Sequence, residues 1–340
     1  GFLQMIRQED YLSTQEENSR AMRKLDLAQC VLSLPILPPS AGVAQACCIT
    51  GFHDFKRGRR LESIRFYDRG LSIYRLLSAE NPQCLYRYAA ESGTIGFLMS
   101  ATNEYQPRSA ELLRQAVAIW KRLEQEQPGK YRVEYATACD NLGYQLSLSH
   151  DVATHREAEA VLREALAIRQ QLYQQDPGRF RRDYAWTADN LGKVLTRDSG
   201  SFAEAEELLR TALQLREEMN RESGGKNISG VAWPCHNLGQ LLAKKPEYAA
   251  EAEQCYRTSI RLRQKLEQLS PGTHAADTSW VMFWLAELLS HDPARHAETG
   301  ELYCAALEIQ QKVEQEHPGM FVLNIDRIRE RYESFRNGIQ

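Results

Sequence analysis

Tyr184-Ala185-Trp186-Thr187-Ala188-Asp189-Asn190-Leu191-Gly192 decides how the chain is read, because versions of it recur. Upstream the same frame is Tyr135-Ala136-Thr137-Ala138-Cys139-Asp140-Asn141-Leu142-Gly143. Downstream it is Val231-Ala232-Trp233-Pro234-Cys235-His236-Asn237-Leu238-Gly239, then Ser279-Trp280-Val281-Met282-Phe283-Trp284-Leu285-Ala286. From Asn141 to Asn190, Asn237 and Trp284 the steps are 49, 47 and 47 residues. A fixed period in this range is the mark of a solenoid of stacked repeats.

A second pattern follows each copy at a constant offset. Its lines run Ala110 to Ala116, Glu159 to Ala165, Glu206 to Ala212, Glu253 to Ser259 and Gly300 to Ala306, with a degenerate copy at Ile64 to Gly70. Apolar residues at 112, 113, 116, 119, 120 and 123 have the three-and-four spacing of an amphipathic helix. Turn dipeptides recur in one frame at Pro82-Gln83, Pro128-Gly129, Pro177-Gly178, Gly224-Gly225, Pro271-Gly272 and Pro318-Gly319. Proline or glycine past a helix end stops it. The chain therefore reads as six helix pairs, near 43–82, 84–128, 131–177, 180–224, 229–271 and 274–318, each with a helix A and a helix B. Pro234 places the start of its helix A near that residue.

Residues 1–42 read as an N-terminal helix and a stiff linker, since Pro35, Pro38 and Pro39 forbid helix continuation. Met5 reads as a natural start. Residues 319–340 read as a C-terminal capping helix, amphipathic through Phe321, Leu323, Ile325, Ile328, Tyr332 and Phe335. A polar-backed terminal helix closes the exposed core of an array.

Gly143, Gly192 and Gly239 sit in helix A, and Ala158, Ala205, Ala252, Ala165 and Ala212 in helix B. A helical glycine costs roughly 1 kcal/mol against alanine, so its repetition in one frame points to close helix approach. Leu-Gly in helix A, alanines at fixed offsets in helix B and a terminal proline resemble tetratricopeptide (TPR) repeats. The longer period is similar to the repeats of kinesin light chains and of bacterial TPR signalling arrays. The resemblance covers roughly residues 43–318, with the first pair (Cys47 to Gly51) and the last (Ala286 for glycine) departing from the pattern. It implies an all-α, right-handed α-solenoid of about six repeats with capping helices at both ends.

The resemblance also implies a binding face. In TPR proteins the residue just before Leu-Gly, and the one four before it, line the concave groove. Carried over, this puts Asn141, Asn190 and Asn237 in a row, with Asp140, Asp189 and His236 beside them and Trp186, Trp233 and Trp280 one turn deeper. A carboxamide has two donors and one acceptor, so it can pair with both backbone groups of an extended peptide. Tryptophans supply apolar anchoring area. Phe283 and Trp284 make the C-terminal end of the row apolar. Lys193, Arg197 and Lys244 fall later on helix A, where they could meet an acidic ligand group. The rival reading puts the tryptophans in the core and lets the asparagines bond within the array. A clamp for a C-terminal carboxylate would need lysine and arginine at the ladder positions, where Asp140, Asp189 and His236 stand.

Other function classes find little footing. Apolar residues make up 43% and charged residues 26%, with a net charge of −3. That mixture gives no electrostatic footprint for nucleic acid or an anionic membrane; Arg57-Gly58-Arg59-Arg60 is the only concentrated basic patch. No stretch approaches the roughly 18 apolar residues of a membrane span, and the N-terminus lacks the layout of a secretory signal. Eight cysteines without framework spacing read as reduced packing residues in a cytoplasmic protein. His150 with His155, and His291 with His296, are too few for a zinc site and are followed or flanked by Asp151 and Asp292, so they read as polar helix-capping turns. Phosphate loops, nucleophile elbows and zinc-protease motifs are missing from the sequence.

The expectation is a non-catalytic scaffold, without cofactor, binding an extended peptide segment of another protein. The alternative is a regulatory or oligomerising array that controls a partner enzyme through its convex face or ends.

Overall fold

The computed structural model describes Leu25, Ala28 and residues 38–100, 105–149, 151–316 and 322–339. These residues hold thirteen α-helices and no strand. The chain is an all-α solenoid of helix pairs, and within each unit successive helices pack on one another. The expected N-terminal helix and linker lie outside the described residues apart from Leu25, Ala28 and 38–42.

Helices start where the sequence supplies caps. Ser40 accepts from the Val43 N–H and opens α1 (Ala41–Lys56). It packs on α2 (Arg60–Leu77). Asn81 accepts from the Gln83 N–H, with Pro82 in the first turn of α3 (Pro82–Met99). Asp176 and Pro177 do the same for α7 (Pro177–Leu195). These prolines therefore begin the following helix as well as ending the previous one, since a first-turn N–H has no intrahelical partner to lose.

Two compact units divide the chain, 1–168 and 169–340. In the first unit α3 packs on α4 (Gln106–Glu126), and α4 on α5 (Arg132–Ser147). Tyr67, Tyr74, Tyr88, Ile95 and Met99 form one core, and Ala116, Trp120, Leu123, Tyr135 and Cys139 another. The division falls within α6 (Val152–Gln175).

The second unit pairs α7 with α8 (Phe202–Glu222), α9 (Ile228–Leu242) with α10 (Ala249–Leu269), and α11 (Ala275–Leu289) with α12 (His296–Glu316). Helix α9 begins six residues before Pro234, which sits inside it. The sequence expectation of a start at Pro234 is thereby corrected: the neighbouring helices hold the segment helical despite one missing donor.

The helix-A glycines allow the contact expected of them. A Cβ at Gly143 would lie 2.3 Å from Leu162, and one at Gly192 would lie 2.7 Å from Leu209. Gly51 of the first pair faces the Tyr67 ring at 3.1 Å, so that pair obeys the same rule despite its divergent sequence. At the end of α10, Gly272 adopts φ of 80°, and Glu267 accepts from the Gly272 and His274 N–H groups.

The last helix, α13 (Val322–Ile339), packs on α12. Its Ile328 is fully buried beside Phe283, Ala286 and Tyr303, and its Arg331 pairs with Glu287 of α11. Its remaining described face is largely exposed, as a closing helix requires.

Candidate functional site

Helices α7, α9 and α11 of the second unit carry most of the residues singled out in the sequence. Asn237 donates from Nδ2 to Oδ1 of Asp189 at 2.9 Å, from α9 to α7. Both side chains are buried, at 3% and 6% exposure. Asn190 and His236 are equally sealed. This corrects the expectation of an open row of carboxamides. Asn237 bonds to Asp189 on the neighbouring helix A, inside the array, and Asn190 is sealed from water. In the first unit Asp140 is buried and Asn141 half-buried.

Burial sets the charges in this layer. It raises the pKa of Asp189, against the Asn237 hydrogen bond and the nearby Arg216 and Lys193. It lowers that of Lys193, which Asp189 opposes. His236 lies 6.0 Å from the Trp233 ring and 6.0 Å from that of Tyr256. Burial, then Arg263 and Lys193, hold its pKa well below 6.5, so the ring is neutral. Asn190 Nδ2 and His236 Nδ1 have no hydrogen-bond partner among the described residues.

The tryptophans behave differently. Trp186, Trp233, Trp280 and Trp284 are all half-buried, and the Nε1 of Trp284 is sealed. Trp280 stacks on Phe283 at 5.1 Å and meets Trp284 edge-on at 6.0 Å. The guanidinium of Arg327, on α13, lies 5.3 Å from the Trp280 ring and 5.4 Å from that of Trp284. Trp233 rests on the guanidinium of Arg263 at 4.1 Å. That cation–π contact holds the charged head against the face of the ring.

Arg263 belongs to a set that sequence reasoning overlooked. Arg169, Arg216, Arg263 and Gln310 follow one another at steps of 47 residues and are between 0% and 4% exposed. Arg169 pairs with Asp183 at 3.2 Å. Arg263 pairs with Asp277 at 3.1 Å and donates from Nε to Ser259. Gln310 donates to Ser279 Oγ at 2.7 Å and to the Ala276 carbonyl at 3.1 Å. Arg216 donates to the Arg182 carbonyl at 3.2 Å, and burial pulls its pKa down to about 10. The signal was available: each of the four stands four residues after Ala165, Ala212, Ser259 or Ala306, on the face of helix B that is otherwise apolar.

The histidine turns carry caps. Asp151 accepts from the Thr154 N–H and hydroxyl, and Asp292 from the Ala294 N–H; His150 lies outside the described residues. Lys244 donates to the Thr196 carbonyl. Among the described residues no three His, Cys, Asp or Glu side chains are grouped to hold a metal, and no helix is long and apolar enough to cross a membrane. The described cysteines are free thiols, all buried except Cys304.

Residues 185–220, from α7 into α8, match the family model of the tetratricopeptide repeat. No curated protein matches the chain. The crystal structure of BtubC (BKLC) from P. vanneervenii is similar over 85% of this chain and 92% of that one, at 15% identity and a TM-score of 0.48. Residues of the α7–α8 pair are thus similar to a tetratricopeptide repeat, which supports a TPR-like repeat family for the chain.

Proposed function

We propose that the helix-A face of the second unit binds an extended segment of another protein and performs no chemistry of its own. The observation that carries this reading is the recurrence of Trp186, Trp233 and Trp280 in one frame, each half-buried, on successive helices A. Tetratricopeptide repeats generally mediate contacts between proteins, and half-exposed indoles are strong interface anchors. With Asn190 and Asn237 buried inside the array, the half-buried indoles carry the contact with a partner. The buried free thiols fit a reducing compartment, hence a cytoplasmic protein.

A displayed library of random dodecapeptides selected on the purified chain tests the reading. Enriched peptides are expected to lose binding to a Trp186→Ala/Trp233→Ala variant whose circular dichroism stays helical. Peptides that bind the variant as well as the parent would place the interface elsewhere. Asn237→Ala is expected to lower the melting midpoint, because it strands the buried Asp189.

A further inference from the structure

The buried arginines of the second unit are not equivalent. Fourteen residues after Arg169 stands Asp183, and fourteen after Arg263 stands Asp277, each in the first turns of the next helix A and each paired with its arginine. Fourteen after Arg216 stands Gly230. Arg216 is 4% exposed, and its one hydrogen bond among the described residues goes to a neutral carbonyl, that of Arg182. A guanidinium has five donors and matches a carboxylate two at a time.

The nearest opposite charge to Arg216 is Asp189, which makes no ion pair with it, accepts from Asn237 and also faces Lys193, while exposed Arg182 adds positive charge beside it. In the complete copies the aspartate side chain reaches the surface, 43% exposed at Asp183 and 25% at Asp277, although the Asp277 oxygen that meets Arg263 is sealed. A group arriving from outside can therefore reach this position. Gly230 itself is half-buried in α9, and the nearest atoms to a Cβ there belong to the Asn227 side chain, at 3.0 Å.

We infer that Arg216 is the seat of one acidic side chain, aspartate or glutamate, carried by the bound segment and standing where Gly230 leaves out the acid its neighbours have. The inference rests on the binding face proposed above and narrows its ligand: an extended segment with an apolar residue for the indoles and a carboxylate at a fixed distance from it. Asp183 and Asp277 already neutralise Arg169 and Arg263, so one carboxylate is called for in this unit.

The experiment is the same dodecapeptide selection run on the parent chain, on Arg216→Gln and on Gly230→Asp. The parent is expected to enrich an acidic residue at one spacing from an apolar anchor. Both variants are expected to keep the anchor and lose the acid. In the best synthetic peptide, replacing that acid by its amide is expected to weaken binding to the parent about tenfold or more, and to leave binding to Gly230→Asp unchanged. A readout without peptide accompanies it: Gly230→Asp is expected to raise the melting midpoint in the parent background, and the gain is expected to shrink in an Arg216→Gln background. Acid enrichment that survives in both variants, or Trp-dependent peptides without an acid, overturns this inference and leaves the binding face standing. Failure to enrich any peptide overturns both.

Discussion

The two units use the same frame with opposite chemistry. In the first, helix B places Tyr74 and Trp120 in the core, and helix A offers only Ala90 and Thr137 at its outer position. In the second, helix A carries Trp186, Trp233 and Trp280 outward, and helix B buries Arg169, Arg216, Arg263 and Gln310. The large ring has moved from the inside of one helix to the surface of the other. Where it left, a long polar chain fills the space, and at Trp233 the arginine head supports the ring from below. A core needs its aromatic residue for stability alone; a supported, half-exposed indole needs another reason.

The sharpest way to break that comparison is to truncate the ring in each setting. Trp120→Ala empties a site with 3% exposure and is expected to cost about 3–5 kcal/mol. Trp233→Ala removes a partly hydrated ring and one cation–π contact, and is expected to cost about 1–2 kcal/mol. Urea denaturation of the two variants checks this. Equal losses would mean that Trp233 is a core residue like Trp120.

The support can be removed instead of the ring. Arg263→Ala leaves Asp277 without its partner and Trp233 without its platform. Breaking a buried pair costs about 3–5 kcal/mol, and the quarter-exposed Asp277 brings the expectation to about 3 kcal/mol. Adding Asp277→Asn is expected to recover part of the loss, because the stranded charge is then gone. Tryptophan emission should shift to the red in Arg263→Ala as the indole loosens.

Much of this architecture was readable before any coordinates. The glycine frame announced close contact between helices A and B because only a missing Cβ explains glycine recurring inside a helix, and Gly143 and Gly192 fulfil it. The three tryptophans that recur in one frame, Trp186, Trp233 and Trp280, are each half-buried. The asparagines were misplaced by one contact: Asn237 could pair outward with a ligand or sideways with Asp189, and spacing alone does not separate neighbouring directions on one helix. The buried arginines were passed over because arginine in a helix ordinarily reads as solvated, although its place among the apolar positions of helix B marked it. Gly230 could not be recognised as a missing aspartate until the pairs on either side were seen.

Acid provides a gentler test of the difference. The second unit buries His236 in the frame where the first has Asp140. Its folded pKa is lowered, by burial first and then by Arg263 and Lys193. An unfolded histidine takes up its proton near pH 6.5, so the stability it permits is complete above that value and is lost as the pH falls below it. One proton corresponds to at most about 1.4 kcal/mol per pH unit. Asp189 works in the other direction, since burial raises its pKa and protonation relieves the strain of its ionised form. The difference between the parent and His236→Asn isolates the histidine. It is expected to grow from pH 6.5 downward, and a difference that stays flat would show the imidazole to be reachable by water.

The smallest effect is expected from arginine on the outer face. Arg210 reaches Glu206 at 2.9 Å and Glu251 of the next helix B at 2.6 Å, and Arg257 repeats the arrangement with Glu253 and Glu298. This ladder has a regular period and good geometry, yet Arg210 and Glu251 keep 42% and 41% of their side-chain surface in water. Solvent screens both charges, and holding two long side chains together offsets much of the attraction. Arg210→Ala is therefore expected to cost below about 1 kcal/mol, and less in 0.5 M salt than at low ionic strength. Arg216 lies on the same helix six residues later, with the same charge and almost no water. If Arg210→Ala proved as damaging as Arg263→Ala, regular spacing of ion pairs would matter more than burial, and the distinction drawn between outer and inner arginines would fail.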